Sequence, residues 1–155
     1  MAEYRNLRFN SIDDCCAEVR RVLAANENGT LATCGNWTPG QNMAHVASWI
    51  EYGFTGYPIS PPPFFIRWLI RMQLKSILKG PMPRGVKIPR VKGGTTGMDD
   101  MPTPAAGQRL LAALERLQAR EEAKFDSPAF GPMSYENRIK LNLRHAELHL
   151  GYLSY

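Results

Sequence analysis

The sequence predicts an all-α protein, a four-helix bundle with one long connection, and three observations carry that expectation. Four stretches repeat apolar residues at helical spacing, with capping residues before them and Gly, Asn or Pro beyond them. Between the second and third of these lies a Pro- and Gly-rich basic insert, residues 57–104. The chain's three histidines fall on two of the four helices, on sides suited to lining a site. At 155 residues, 44% apolar and 21% charged, the whole chain (1–155) fits a single domain with a real core.

The first ten residues are polar apart from Leu7 and Phe9, a segment that either covers the bundle or frays. Ser11 is placed to cap the first helix, and Asp13 and Asp14 suit the positive end of its dipole. Ile12, Cys15, Cys16, Val19, Val22 and Leu23 then form one apolar face, and Asn26–Gly35 stops it. Cys15 and Cys16 lie in that stripe and read as small core residues rather than reactive thiols. With Cys34 they make an odd count without zinc or redox spacing. No signal peptide is recognised, so the expected compartment is the cytoplasm, with reduced thiols.

Thr38-Pro39-Gly40-Gln41 opens the second helix: Thr as cap, Pro at the first position, Gln where a capping box wants it. Its end is expected between Gly53 and Gly56. At 100° per residue His45 shares a face with Gln41, Trp49 and Tyr52, while Ala44, Ala47 and Glu51 point elsewhere. Tyr57–Pro63 breaks the pattern. Phe64–Leu78 reads as an inserted amphipathic helix, apolar at Phe64, Phe65, Trp68, Leu69 and Met72, with Arg67, Arg71, Lys75 and Lys79 every fourth residue. Gly80–Pro104 is a long basic loop. A further helix is expected over Ala105–Phe125, with Leu110, Leu111, Leu114 and Leu117 inward and Arg109, Glu115, Arg116, Arg120 and Glu122 outward. After a turn at Asp126–Met133, Ser134 caps the last helix, expected to run to about Tyr152.

Charge is concentrated in the insert. Between Glu51 and Asp99 there are eight basic residues and no acidic one; the other eleven basic residues stand against fourteen acidic ones, a balance of −3. A nucleic-acid partner is not expected, because such proteins carry their basic residues on the main body. No apolar run approaches the length of a membrane span.

His145 and His149 are four residues apart, one turn above each other, so both imidazoles can reach one point. With His145 at 0°, Leu141, Leu148 and Tyr152 fall within about 60° on one side. His149 and Asn142 lie on the other, and Glu147, Lys140 and Arg144 cluster on the reverse. The pair therefore occupies the middle of the core-facing stripe. An inward histidine is commonly a core residue satisfied by a hydrogen bond. Two unpaired buried imidazoles would cost about 1–3 kcal/mol each, and coordination satisfies both at once. With His45 on the site-facing side of a separate helix, the reading is a mononuclear metal site of His45, His145 and His149. Three imidazoles suit zinc, nickel, iron or copper and leave coordination positions open. A di-iron carboxylate site needs inward acids, and Glu147, the acid beside the pair, points away. Arg138, Asn142 and Tyr152 share the histidine face, as substrate-orienting or packing residues.

One histidine in the helix after Trp-Thr-Pro-Gly-Gln, a long crossover, and His-x-x-x-His in the last helix together resemble the DinB/YfiT-like metalloenzyme superfamily. The Met-Pro-Arg-Gly loop (82–85) and the Ala129-Phe130-Gly131-Pro132-Met133-Ser134 turn are similar to those of its uncharacterised domain-of-unknown-function 1569 group. The resemblance spans about Ser11 to Tyr152. It implies a bacterial DinB-like four-helix bundle binding nickel or zinc through His45, His145 and His149, and a homodimer. It also implies low-molecular-weight-thiol chemistry in some relatives, with mycothiol, bacillithiol or glutathione.

Three functions follow as expectations. The first is an enzyme, a thiol-dependent transferase or metal-dependent hydrolase, in which Arg84, Lys87, Arg90 and Lys92 attract the carboxylates of the thiol or co-substrate; the plain alternative for these residues is a solvated loop. Arg84 and Arg90 are the loop residues singled out as substrate- or cofactor-binding. The second is a non-catalytic metal-binding or interaction module. The third is association of the Phe64–Lys79 helix with anionic lipid, against its being a cap on the bundle. No individual catalytic residue is assigned, and Cys34 near the second helix is an open candidate.

Overall fold

Local capping sets where the long helices begin. In the computed structural model, which describes residues 3–155, Ser11 accepts from the backbone N–H of Asp14, whose carboxylate accepts from that of Ser11, and α1 runs Ile12–Glu27. Thr38 and Gln41 make the same reciprocal pair, with Pro39 at the first position, and α2 runs Pro39–Thr55. Gly56, at φ +107°, ends it in a conformation a side chain would resist. In the insert, α3 spans Phe64–Met72 and α4 spans Leu74–Lys79. Then come α5 (Thr103–Gln118) and α6 (Tyr135–Leu150), the latter capped by Ser134 through the Asn137 N–H.

The described residues are mostly helical, and α1, α2, α5 and α6 pack around one hydrophobic core. Val19 and Val22 of α1, Met43 and Val46 of α2, Leu110 and Leu114 of α5 and Leu150 of α6 are sealed within it. Cys15 and Cys16 are buried there as the stripe implies, and burial pushes the Cys15 thiol far up, leaving it inert. Gly40 lets α2 meet the end of the crossover: a Cβ there would lie 2.0 Å from the Met101 carbonyl oxygen.

Both inserted and later helices depart from the expected bounds. The 105–125 helix begins two residues earlier, at Thr103, and stops at Gln118. Arg120 takes φ +54°, and the Glu121 N–H returns to the Arg116 carbonyl. Leu117 is the last buried residue of the α5 stripe, and the charged residues beyond it offer no apolar face to extend the helix. The 64–78 helix is broken at Gln73, whose N–H bonds back to Ile70 in a tightened turn. The break lets Leu74 be buried and α4 pack on α6. α3 keeps its apolar face in solvent, with Phe64 85% and Trp68 62% exposed, so it is no cap on the bundle.

The last helix ends at Leu150, and Leu153–Ser154 (β2) pairs antiparallel with Ala32–Thr33 (β1). Residues 5–9 lie along the reverse face of α6 and are tied to it rather than frayed. The Phe9 N–H donates to Glu147, Arg144 donates to the Phe9 carbonyl, and the Arg5 N–H donates to the Gly151 carbonyl. Glu147 points away from the histidines, as expected, but into this buried seam rather than into water.

Candidate metal centre

The helix registers bring all three histidines together. One ring nitrogen from each of His45, His145 and His149 lies within 4.8 Å of the other two. The Nε2 atoms of His45 and His145 are 3.2 Å apart. Two nitrogens bound to one zinc ion at about 2.0–2.1 Å, at a tetrahedral angle, stand about 3.3–3.4 Å apart, so this pair is spaced for a shared ion.

The crossover fixes His45. Its Nδ1 lies 2.8 Å from the Thr96 carbonyl oxygen, which can only accept, so the proton sits on Nδ1 and Nε2 presents its lone pair. That is the support a metal-bound imidazole ordinarily has. The Trp49 indole N–H donates to the same carbonyl at 3.3 Å. His149 stacks under Trp37, with ring centroids 5.3 Å apart and planes 5° from parallel. Its Nδ1 is buried with no hydrogen-bond partner. An orphaned imidazole nitrogen beside two other imidazoles fits a divalent ion. The all-nitrogen donor set fits a borderline transition metal rather than calcium or magnesium.

Electrostatics prepare the ligands. Burial pushes His45 down to about 4, with the Thr96 carbonyl pulling the other way. Burial and the neighbouring His45 push His149 down to about 3. His145 is held well below its ordinary range by burial, then by His149 and His45. All three are neutral at pH 7, the form that coordinates a metal.

The histidines form one wall of a cavity of about 770 Å³, lined mainly by apolar side chains that include Trp37, Trp49, Ile77, Phe130 and Leu141. Arg138, Asn142 and Tyr152 line it too, Tyr152 from the turn beyond α6 rather than from the helix itself. Cys34 is exposed and borders the same space. Lys87 of the basic loop also lines it, whereas Arg84 and Arg90 do not. The Arg84 guanidinium lies over the Tyr4 ring, 4.5 Å from its centroid, and Arg90 is exposed in a left-handed turn.

A family profile described as "Protein of unknown function (DUF1569)" matches residues 1–154. The chain belongs to the DUF1569 family. Neither the curated proteins nor the solved structures yield a significant match. Among the described residues of this DUF1569 chain, no helix is long and apolar enough to cross a membrane.

Three contributors were not apparent from residue patterns. Thr96 acts through its backbone, which no side-chain pattern reports. Trp37, one residue before the α2 cap, was visible as an aromatic next to a helix start, but nothing assigned it to His149. Arg109, expected on the outer surface of α5, instead reaches across the crossover. It donates to both Glu51 carboxylate oxygens, to Asp99 at 2.6 Å and to the Ser48 hydroxyl at 3.0 Å. Ser48 in turn donates to the Gly97 carbonyl, so this network holds the segment that presents Thr96 to His45. Arg109→Leu should therefore cost about 1.5–3 kcal/mol in urea unfolding, the scale of lost charged hydrogen bonds. It should also speed amide exchange at Thr96–Gly97 selectively. Uniform exchange across the chain would show that Arg109 does not hold this segment.

Proposed function

We propose that this chain is a single-domain DinB-like metalloprotein in which His45, His145 and His149 hold one nickel or zinc ion. We further propose that it carries out a low-molecular-weight-thiol-dependent transfer or a metal-dependent hydrolysis. The observation that supports this best is the convergence of three neutral imidazoles on one point of a cavity large enough for a small molecule. Such an ion is a Lewis acid that lowers the pKa of a coordinated thiol or water. The protein's own part is to keep the ligands unprotonated, to fix His45 through Thr96, and to exclude water with the Trp37 and Trp49 rings. Lys87 provides positive charge at the cavity for an acidic thiol, with Arg84 and Arg90 adding to the field of the loop.

The test compares nickel- or zinc-loaded protein with chelated protein, incubating each with glutathione, mycothiol or bacillithiol and a panel of electrophiles. A parallel arm uses ester and amide substrates without thiol. Metal-loaded protein should consume thiol or substrate at least about tenfold faster. Equal rates throughout both panels would leave the non-catalytic metal-binding module.

One observation favours a second reading, an interaction module: the exposed apolar face of α3. Arg71 donates to the Phe130 carbonyl and Arg67 packs over Gly131, so the helix is held by its basic side and turns Phe64, Phe65, Trp68 and Leu69 outward. Between Glu51 and Asp99 the chain carries eight basic residues and no acidic one, so two copies meeting at α3 would repel, while an anionic lipid surface would attract. Binding to phosphatidylglycerol vesicles that persists at high salt and is lost in Trp68→Ser is the expected result. No binding at low salt would dismiss this reading.

A further inference from the structure

Two arginines are buried among the described residues, and they are held differently. Arg144, 4% exposed, lies 2.9 Å from the Glu147 carboxylate. Arg138, 8% exposed, forms no ion pair among the described residues. Its Nη2 donates to the Phe125 carbonyl at 3.2 Å. Its Nη1 fills the space left at Gly53, where a Cβ would be 2.8 Å away. The Tyr57 phenol lies beside it, and Asp126, whose charge reaches Tyr57, is exposed. A guanidinium carries five N–H donors, and none of those on Arg138 is sealed off without a partner. Arg138 lines the cavity together with Tyr57, whose phenol is hydrogen-bonded to it, and no carboxylate takes up its remaining donors.

The position of this cation within the cavity gives it meaning. Arg138, Leu141, Asn142, His145, Leu148 and His149 line the cavity along one stripe of α6. Seven residues separate Arg138 from His145, a rise of about 10 Å along the helix. Leu141 and Asn142 lie between the two ends on α6, and Ile77 on α4 and Phe130 and Met133 on the preceding turn add apolar lining to the same cavity. A buried arginine without a carboxylate is a strong receptor for one, because its planar fork matches that geometry and water does not compete.

We propose that Arg138 is the carboxylate-binding end of this cavity. Its ligand is a small organic acid whose apolar body lies along the roughly 10 Å between the guanidinium and the histidines. Only the ligand's far end rests on the metal reading above; the carboxylate subsite stands on Arg138 itself.

The probes are hexanoate and its neutral counterpart hexanamide, with binding followed by fluorescence of Trp37 and Trp49 in the cavity wall. Each is titrated into the protein as purified and after chelation. Hexanoate should bind about tenfold or more tighter than hexanamide in both preparations, the scale of charge-assisted hydrogen bonds. Arg138→Met, checked for fold by circular dichroism, should bring the two ligands to parity, and Arg138→Lys should keep part of the preference. Parity in the unaltered protein would overturn the proposal even if the methionine variant does not fold. So would a preference that survives Arg138→Met, or one that disappears on chelation, which would make the metal the carboxylate receptor. A preference that persists in a protein found to hold no metal would uphold this subsite while removing the metal reading.

Discussion

Alanine in place of His45, His145 or His149 should weaken zinc or nickel binding by at least about 100-fold in each case. Disturbing only the partners that support a ligand costs about 10–100-fold, and removing the ligand itself costs more. The three should also fail as a unit. The site is built from α2 on one side and two turns of α6 on the other. Losing either contribution leaves too few nitrogens to hold an ion against water, so double variants should be no worse than single ones. Competition titration against a chromophoric chelator measures this directly. A thermal shift gives a second readout, because metal present at about 1,000 times its Kd stabilises the folded state by about 4 kcal/mol. That shift should vanish in all three variants. One variant that retains both affinity and shift would remove its histidine from the ligand set, and full retention in all three would dismiss the site.

The parts of this molecule legible in its residues are those governed by short-range rules. The Ser11–Asp14 and Thr38–Gln41 boxes involve residues three apart, and both form. The convergence of the histidines followed from two helix registers, each set by local periodicity, and needed only that the helices pack face to face. What escaped depends on residues far apart in the chain. α5 stops at Gln118 partly because the chain beyond must turn so that the Phe125 N–H can reach the Gly53 carbonyl. What covers the reverse face of α6 was not legible, because the Phe9 backbone that hydrogen-bonds Arg144 and Glu147 lies more than a hundred residues earlier. Arg109 sits off the apolar stripe of its own helix, and its partners Glu51 and Asp99 belong to two other segments. The amphipathic pattern of α3 was read correctly. Amphipathicity says that a face is apolar and not what covers it, and here the described chain leaves it open.

Stability of the metal-free protein should fall steeply as pH drops from about 6.5 towards 4.5. Above 6.5 the imidazoles are neutral in both folded and unfolded chains and contribute no slope. Below 6.5 the unfolded chain takes up three protons that the folded one refuses, since burial holds His45 down to about 4 and His149 to about 3, with His145 lowered alongside them. Each group adds about 1.4 kcal/mol per pH unit, so the slope approaches about 4 kcal/mol per unit. The lowered carboxylates are separable by their window. Glu18, where the hydrogen bonds of Arg21 and Arg5 outweigh the upward push of burial, and Asp14, lowered by its hydrogen bonds, lose their contribution only below about 4.5, whereas Glu147, raised by burial, acts in the opposite direction within the imidazole window. Urea unfolding of chelated protein between pH 4.5 and 8 should show this slope, and a variant with all three histidines changed to glutamine should be nearly flat over the same range. A flat profile in the unaltered protein would mean that the imidazoles protonate freely and are not desolvated as the structure has them. The same depression bears on function. Because the ligands need no deprotonation, metal affinity of the folded protein should stay nearly constant from pH 8 to about 5, where solvent-exposed histidines already lose theirs to protons.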